Sequence, residues 1–244
     1  MTRLRFGILS VAKINDRLIP AFKKAQNAEL RAIASRDLGR ARQAASAAGL
    51  PVAHGSYEAL LADPTIDAVY IPLPNTLHDE WARRAADAGK HVLCEKPLTP
   101  TAAQAQALVD YCRAKGVTLM DGFMWPHHPR TAEMRRLIDA GEIGEVRRVS
   151  GAFTFRLPMD AGNIRLQPGM AGGSLLDVGC YPVYGIRWAF GEEPVRPGRR
   201  RRSGTAPIWR RTALCGWRTG GWAASIAASR RRFGGGWRLS GRRG

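Results

Sequence analysis

The sequence predicts an α/β protein: a doubly wound parallel sheet, followed by an incomplete α+β second domain. Three observations predict it. Short β-branched or apolar runs alternate with Ala-rich helical stretches, a rhythm that builds a parallel sheet with helices on both faces. Helix-boundary signals fall between the runs. Near residue 146 the rhythm changes to a longer alternating run, which reads as a strand of a second, more open sheet.

The first strand covers 5–9 and its helix 14–25; a second strand at 30–34 precedes a helix over 39–48. Strand 68–71 leads to helix 77–88, strand 91–94 to helix 102–114, and strand 117–120 to helix 130–140. Thr99-Pro100 places an N-cap and a first-turn proline ahead of one helix, and Gly89 and Gly116 end two others. Right-handed crossovers bring the carboxyl ends of the strands to one edge, where a ligand should bind. The boundary falls near 122–125, and the well-composed sequence beyond it has room for two strands and a helix, with the 146–155 strand left with an unpaired edge.

Composition divides the chain again. Glu193 is the last acidic residue, and residues 194–244 hold 14 Arg, 4 of the 7 Trp and 10 of the 27 Gly, without Lys, Asp or Glu. The net charge of +18 sits mostly in that tail. Three readings of the tail stand: a segment out of frame and not native to the fold, a solvated disordered tail, or an arm whose Arg and Trp residues bind nucleic acid. The first is preferred because no hydrophobic period of 3.6 or 2 persists there. Over the whole chain, 45% hydrophobic residues exclude global disorder, and four scattered cysteines suggest neither a disulfide scaffold nor a zinc site. No apolar stretch is long enough to span a bilayer, and the N-terminus lacks a signal-peptide core, so a cytoplasmic protein without membrane contact is expected. His127 and His128 would point apart on a helix or strand, and no metal is expected.

After the first strand the chain reads Ser10-Val11-Ala12-Lys13-Ile14-Asn15, where a dinucleotide site would show G-x-G-x-x-G. Ser10 and Ala12 are small enough to let a pyrophosphate approach backbone N–H groups at a helix N-terminus. An ordinary strand-to-helix turn remains the alternative. At the end of the second strand stand Ser35-Arg36-Asp37, with Arg40 one turn on. A hydroxyl and two guanidinium groups suit a 2′-phosphate and favour NADP, while Asp37 could still reach a ribose and leaves NAD open.

The strand over 91–94 runs into Cys94-Glu95-Lys96-Pro97, a charged pair and a proline at a strand's carboxyl end. This segment resembles the E-K-P motif of the glucose–fructose oxidoreductase, inositol dehydrogenase and MocA (Gfo/Idh/MocA) family. Residues 71–78 (Ile-Pro-Leu-Pro-Asn-Thr-Leu-His), Gly122-Phe123-Met124-Trp125 and 172–182 (Gly-Gly-Ser-Leu-Leu-Asp-Val-Gly-Cys-Tyr-Pro) extend the likeness. The nearest branch is that of sugar and diol dehydrogenases, including NADP-dependent xylose dehydrogenases. Three positions depart from the pattern: Ser10 replaces a usual glycine, Ala171 interrupts a glycine triplet, and Pro126 follows Trp125 where Arg is frequent.

The resemblance implies a Rossmann NADP-binding domain over 1–123, a partial substrate and oligomerisation domain over 124–193, and a tail over 194–244. It implies hydride transfer between a nicotinamide and a sugar, polyol or diol. Lys96, Asp177 and Tyr181 would be catalytic; Ser10, Ala12, Lys13, Ile14, Ser35, Arg36, Arg40, Leu73, Pro74, Asn75, His78, Glu95, Lys96 and Trp125 would meet the cofactor. Alcohol oxidation needs a group to hold the hydroxyl proton. A free Tyr, with a pKa near ~10, becomes a base only beside a cation. Lys96 would be that cation or would itself polarise the substrate oxygen, and Asp177, four residues before Tyr181, would share its helix face. The alternatives are a cofactor-binding remnant without catalysis and nucleic-acid binding through the tail, although nucleic acid is not expected. The family forms homo-oligomers; the shortened second domain argues against one here.

Overall fold

A computed structural model describes residues 3–155, 163–191 and 193, with the backbone of 196–201, 211–216, 222–228 and 234–241. The chain divides between Gly122 and Phe123 into two compact units.

In the first unit β1 (Leu4–Leu9), β2 (Ala28–Ala34), β3 (Val52–His54), β4 (Ala68–Ile71), β5 (His91–Cys94) and β6 (Leu119–Asp121) form one parallel sheet in the order β3-β2-β1-β4-β5-β6. The order reverses between β1 and β4, and a doubly wound sheet opens its ligand crevice at that point, beyond the carboxyl ends of the strands. Alternation along each strand divides the core between the two faces. Leu9, Val69 and Ile71 pack with Leu60 of α3 (Tyr57–Leu61), Trp81 and Ala82 of α4 (His78–Asp87) and Leu108 of α5 (Ala102–Ala114). Ile8, Ile33 and Tyr70 turn the other way, toward Leu18 of α1 (Asn15–Lys24) and Ala45 of α2 (Leu38–Ala48). Both faces are apolar, and full burial of a side chain such as Leu60 contributes about 2 kcal/mol.

Polar pins close the opposite edge. Arg5 clamps Asp67 with Nε–Oδ2 at 2.8 Å and Nη2–Oδ1 at 2.5 Å, joining β1 to the start of β4. The buried Lys90 ammonium donates to the carbonyls of Asp63 and Ile66. The cap of α5 differs from the sequence expectation: Thr101, not Thr99, caps it. Thr101 Oγ1 accepts from Gln104 N and donates to Gln104 Oε1, while Thr99 Oγ1 donates to the Thr101 carbonyl.

The second unit contains α6 (Pro129–Asp139), β7 (Val146–Thr154), α7 (Cys180–Phe190), β8 (Arg196–Arg201), β9 (Arg211–Gly216), β10 (Trp222–Ala228) and β11 (Gly234–Gly241). The strands run in the order β11-β7-β10-β9-β8, with β10 parallel to β7 and the other pairs antiparallel. Val149 of β7 packs against Ile186 and Ala189 of α7. This corrects two expectations. Up to residue 193 the second unit has one strand, β7, rather than two, the other four of its sheet coming from the tail, and β7 is no edge, because β10 and β11 pair along both of its sides. Strand pairing is satisfied by backbone groups, so it does not need the alternation whose absence marked the tail. The rest of the tail lies outside the described residues. Among the described residues no helix is long and apolar enough to cross a membrane, and no group of three or more His, Cys, Asp or Glu side chains is placed to hold a metal.

Candidate active site

Five loops of the first unit leave the carboxyl ends of its strands. The turn after β1 is held by Ser10 N donating to the Ala34 carbonyl and by Asn15 Nδ2 donating to the Ser10 carbonyl at 2.8 Å. Ser10 has φ +118°, in the region that favours glycine. The N–H groups of Val11, Ala12, Lys13 and Ile14 donate to no atom among the described residues. Asn15 is almost wholly buried, yet its Oδ1 makes no hydrogen bond there. Four consecutive unpaired donors at the start of a helix form a cradle for an anion, and a buried amide beside them has hydrogen-bonding capacity to spare.

The end of β2 presents positive charge. Asp37 caps α2, its Oδ1 accepting from Arg40 N at 2.9 Å, and buried Ser35 accepts from Asp37 N. Arg36 and Arg40 are exposed on either side of the cap, and neither forms an ion pair among the described residues. Arg40 also borders a cleft of about 600 Å³ between α1 and α2, whose apolar lining includes Ala12, Ile19, Ile33 and Ala44.

The loops after β4 and β5 are fastened together. His78 is fully buried, with Nε2 2.8 Å from the Leu73 carbonyl and Nδ1 2.8 Å from the Pro97 carbonyl. Burial pushes its pKa down, and the two carbonyls only partly offset this. His78 thus sits as a brace beneath the loops that carry Leu73, Pro74, Asn75 and Lys96. Glu95 is gripped by the buried Tyr70, whose hydroxyl donates to Oε1 at 2.6 Å, while Lys96 N donates to Oε2 at 3.3 Å. Gly122, after β6, lets the chain pass: a Cβ there would lie 3.1 Å from the Cys94 carbonyl oxygen and from Glu95 Cα.

In the second unit, Asp177 lies in a π-helical turn (Leu175–Gly179) that feeds α7, and Tyr181 is the second residue of that helix. Single π-turns inside helices recur at functional sites. Arg165 Nε binds Asp177 Oδ2 at 3.0 Å. Tyr181 meets Phe123 and Phe153 edge-on, at centroid distances of 5.0 and 5.2 Å. Trp125 lies edge-on to Tyr184 and Trp188, and its carbonyl accepts from Thr131 Oγ1. Of the adjacent histidines, His128 caps α6 by accepting from Arg130 N.

The structure thus gathers Ser10, Ala12, Lys13, Ile14, Ser35, Arg36, Arg40, Leu73, Pro74, Asn75, Glu95 and Lys96 at one edge of one sheet, on the loops after its strands and, for Arg40 and Asn75, in the helical turns that those loops enter. Asp177, Tyr181 and Trp125 belong to the second unit. Sequence reasoning missed Tyr70 and Arg165. The signals were a tyrosine inside the otherwise aliphatic strand Ala68–Ile71 and an Asn-x-Arg turn just before the glycines at 172 and 173.

Known proteins share this fold. Residues 4–123 match the model of the oxidoreductase family with the NAD-binding Rossmann fold, and residues 131–207 match the Gfo/Idh/MocA C-terminal domain. The chain belongs to the Gfo/Idh/MocA family of oxidoreductases. It is 52% identical over 189 residues to a D-xylose 1-dehydrogenase (NADP(+)) of Haloferax volcanii, a match covering 77% of this chain and 58% of the relative. It is 45% identical over 181 residues to a dTDP-3,4-didehydro-2,6-dideoxy-alpha-D-glucose 3-reductase of Streptomyces violaceoruber, covering 74% of this chain and 52% of that one. Among solved structures, a 3-ketoreductase from Actinomadura kijaniata in complex with NADP and TDP-benzene superposes with a TM-score of 0.86 at 36% identity, covering 98% of this chain and 74% of that one. The chain spans just over half the length of the curated relatives it matches.

Proposed function

We propose that this chain carries the NADP-binding and catalytic residues of an oxidoreductase acting on a sugar, polyol or diol. The observation that carries the reading is the pair of unpaired guanidinium groups, Arg36 and Arg40, flanking the Asp37 cap, in line with the four free N–H groups after β1. Asp37 is engaged in capping, which favours a 2′-phosphate over a bare ribose at this end. The loop N–H groups of 11–14 and the spare Asn15 Oδ1 suit a pyrophosphate and its hydration. The nicotinamide would supply the hydride acceptor or donor.

The chain's own residues would manage binding and the proton. Lys96, on a loop stiffened by Tyr70 and His78, offers an ammonium for the substrate oxygen. Tyr181 offers a hydroxyl as the proton-handling group, and Asp177 accepts from a substrate hydroxyl. Pro74 and Asn75 would border the nicotinamide, with Trp125 assigned to the same end and Glu95 in support. Cys94 and Cys112 are free thiols, in keeping with a reducing cytoplasm. No role in nucleic-acid binding is assigned to the tail, and no oligomer is proposed.

Titration with NADPH and NADH, followed by nicotinamide fluorescence, tests the reading. NADPH should bind more tightly, and Arg36→Ala with Arg40→Ala should erase the preference, since each charged contact is worth roughly 1.5–3 kcal/mol. Equal affinities in the unaltered protein would overturn it.

A further inference from the structure

We propose that Arg165 is a positioning residue that sets the orientation of the Asp177 carboxylate toward substrate. The inference rests on the functional reading above, in which Asp177 accepts from a substrate hydroxyl. Arg165 Nε binds Asp177 Oδ2 at 3.0 Å; the Asp177 side chain is only 15% exposed, whereas that of Arg165 is 48% exposed. The acid is therefore the sheltered partner, and a charge-assisted bond fixes a group better where water competes less.

The backbone ties both residues to one anchor. Gly173 N donates to the Arg165 carbonyl at 2.8 Å, and Asp177 N donates to the Gly173 carbonyl at 3.1 Å. Upstream, Asn163 Oδ1 accepts from Arg165 N, and Gly172 N donates to the Gln167 carbonyl. The segment closes so tightly that a Cβ on Gly172 would stand 2.7 Å from the carbonyl oxygens of Ile164, Arg165 and Gln167. A short clasp with no room for a side chain thus holds the root of the guanidinium one hydrogen bond from the residue that also receives the Asp177 N–H. The arrangement removes the freedom of a short carboxylate before substrate arrives, so that less ordering is left to be done on binding.

The test uses the full chain saturated with NADPH and a panel of neutral aldoses and vicinal diols led by D-xylose, with binding read from nicotinamide fluorescence. Arg165→Ala should weaken binding of the responding sugar about tenfold, Arg165→Lys should recover most of the loss, and NADPH affinity should stay unchanged in both. In an Asp177→Ala background, Arg165→Ala should add nothing, because the arginine acts through the carboxylate. Undiminished sugar affinity in Arg165→Ala, or the same further loss on top of Asp177→Ala, would overturn the inference while leaving the functional reading intact. No response of the unaltered protein to any sugar or diol would sink that reading, and the inference with it. Should Arg165→Ala lose NADPH binding, the residue is a fold determinant and the positioning role is refuted.

Discussion

In the first unit, the loops that reach the candidate site start from the ends of parallel strands, and those after β1, β4 and β5 are fastened by side chains rising from the core. Tyr70 grips Glu95, His78 braces two loops, and Asn15 ties back to Ser10. In the second unit, Asp177 hangs on a clasp of backbone carbonyls and a surface arginine, and Tyr181 rests among aromatic edges. A binding surface for a large, fixed ligand is well served by a rigid sheet edge. A surface that must suit varied small alcohols can be rebuilt by changing one clasp, without disturbing a sheet.

The largest effect should come from separating the two contributions. Lys96→Ala and Tyr181→Phe should each cut turnover by about 10²-fold or more, the usual cost of removing a general acid or base or its electrostatic partner. NADPH affinity should survive in Tyr181→Phe, whose change lies in the second unit. Steady-state kinetics beside fluorescence titration checks both. Full turnover in Tyr181→Phe would move the proton to Lys96, and lost NADPH binding in that variant would break the division of labour between the units.

Legibility in the sequence followed the same division. Strands β4 and β5 and helix α5 fall on the residues that the apolar runs and caps mark, because buried parallel strands and a capped helix leave local signatures. Strand β3 and helix α3 were missed: three residues and five residues are too few for either period to register. Thr99 looked like the cap because a proline follows it, yet the hydroxyl that accepts from a first-turn amide of α5 is that of Thr101, which Gln104 Oε1 also holds. The brace formed by His78 and the grips of Tyr70 and Arg165 were invisible because each reaches across the chain to a partner that only the fold supplies. Strands β8–β11 escaped notice for a different reason: their pairing is made by backbone, and their residues carry no alternation.

A smaller effect, confined to the first unit, should appear on acidification. The Asp67 carboxyl is held down to about 2 from 3.8, first by the hydrogen bond from Arg5. Its folded pKa lies below the unfolded one, so its stabilisation is complete above 3.8 and is lost as the pH falls toward 2. With the pair partly exposed, the shift amounts to about 1 kcal/mol after solvent screening. His78 has the same sign at higher pH: depressed by burial, it stabilises fully above 6.5 and loses that contribution as the pH falls further. Urea midpoints measured against pH should therefore fall in two steps, the upper one absent in His78→Gln and the lower one absent in Asp67→Asn. An unchanged upper step in His78→Gln would remove the brace from the account.

The smallest expected effect compares the units at matched positions. Among the described residues, the two non-glycine residues with positive φ are Ser10 at +118° and Ala171 at +53°, one in each unit. The first angle lies outside the left-handed helical well that ordinary residues tolerate; the second lies inside it. Strain of this kind costs roughly 1–3 kcal/mol, and glycine returns about 0.5–1 kcal/mol of any relief through its greater unfolded-state entropy. Ser10→Gly should thus stabilise by about 1 kcal/mol, raising the melting temperature by about 2–4 °C for a chain of this size. Ala171→Gly should gain a few tenths of a kcal/mol at most. Ser10 Oγ makes no hydrogen bond among the described residues, so nothing is lost with it. Calorimetry of the two variants decides: a larger gain for Ala171→Gly would show that the clasp, rather than the cofactor turn, carries the greater backbone strain.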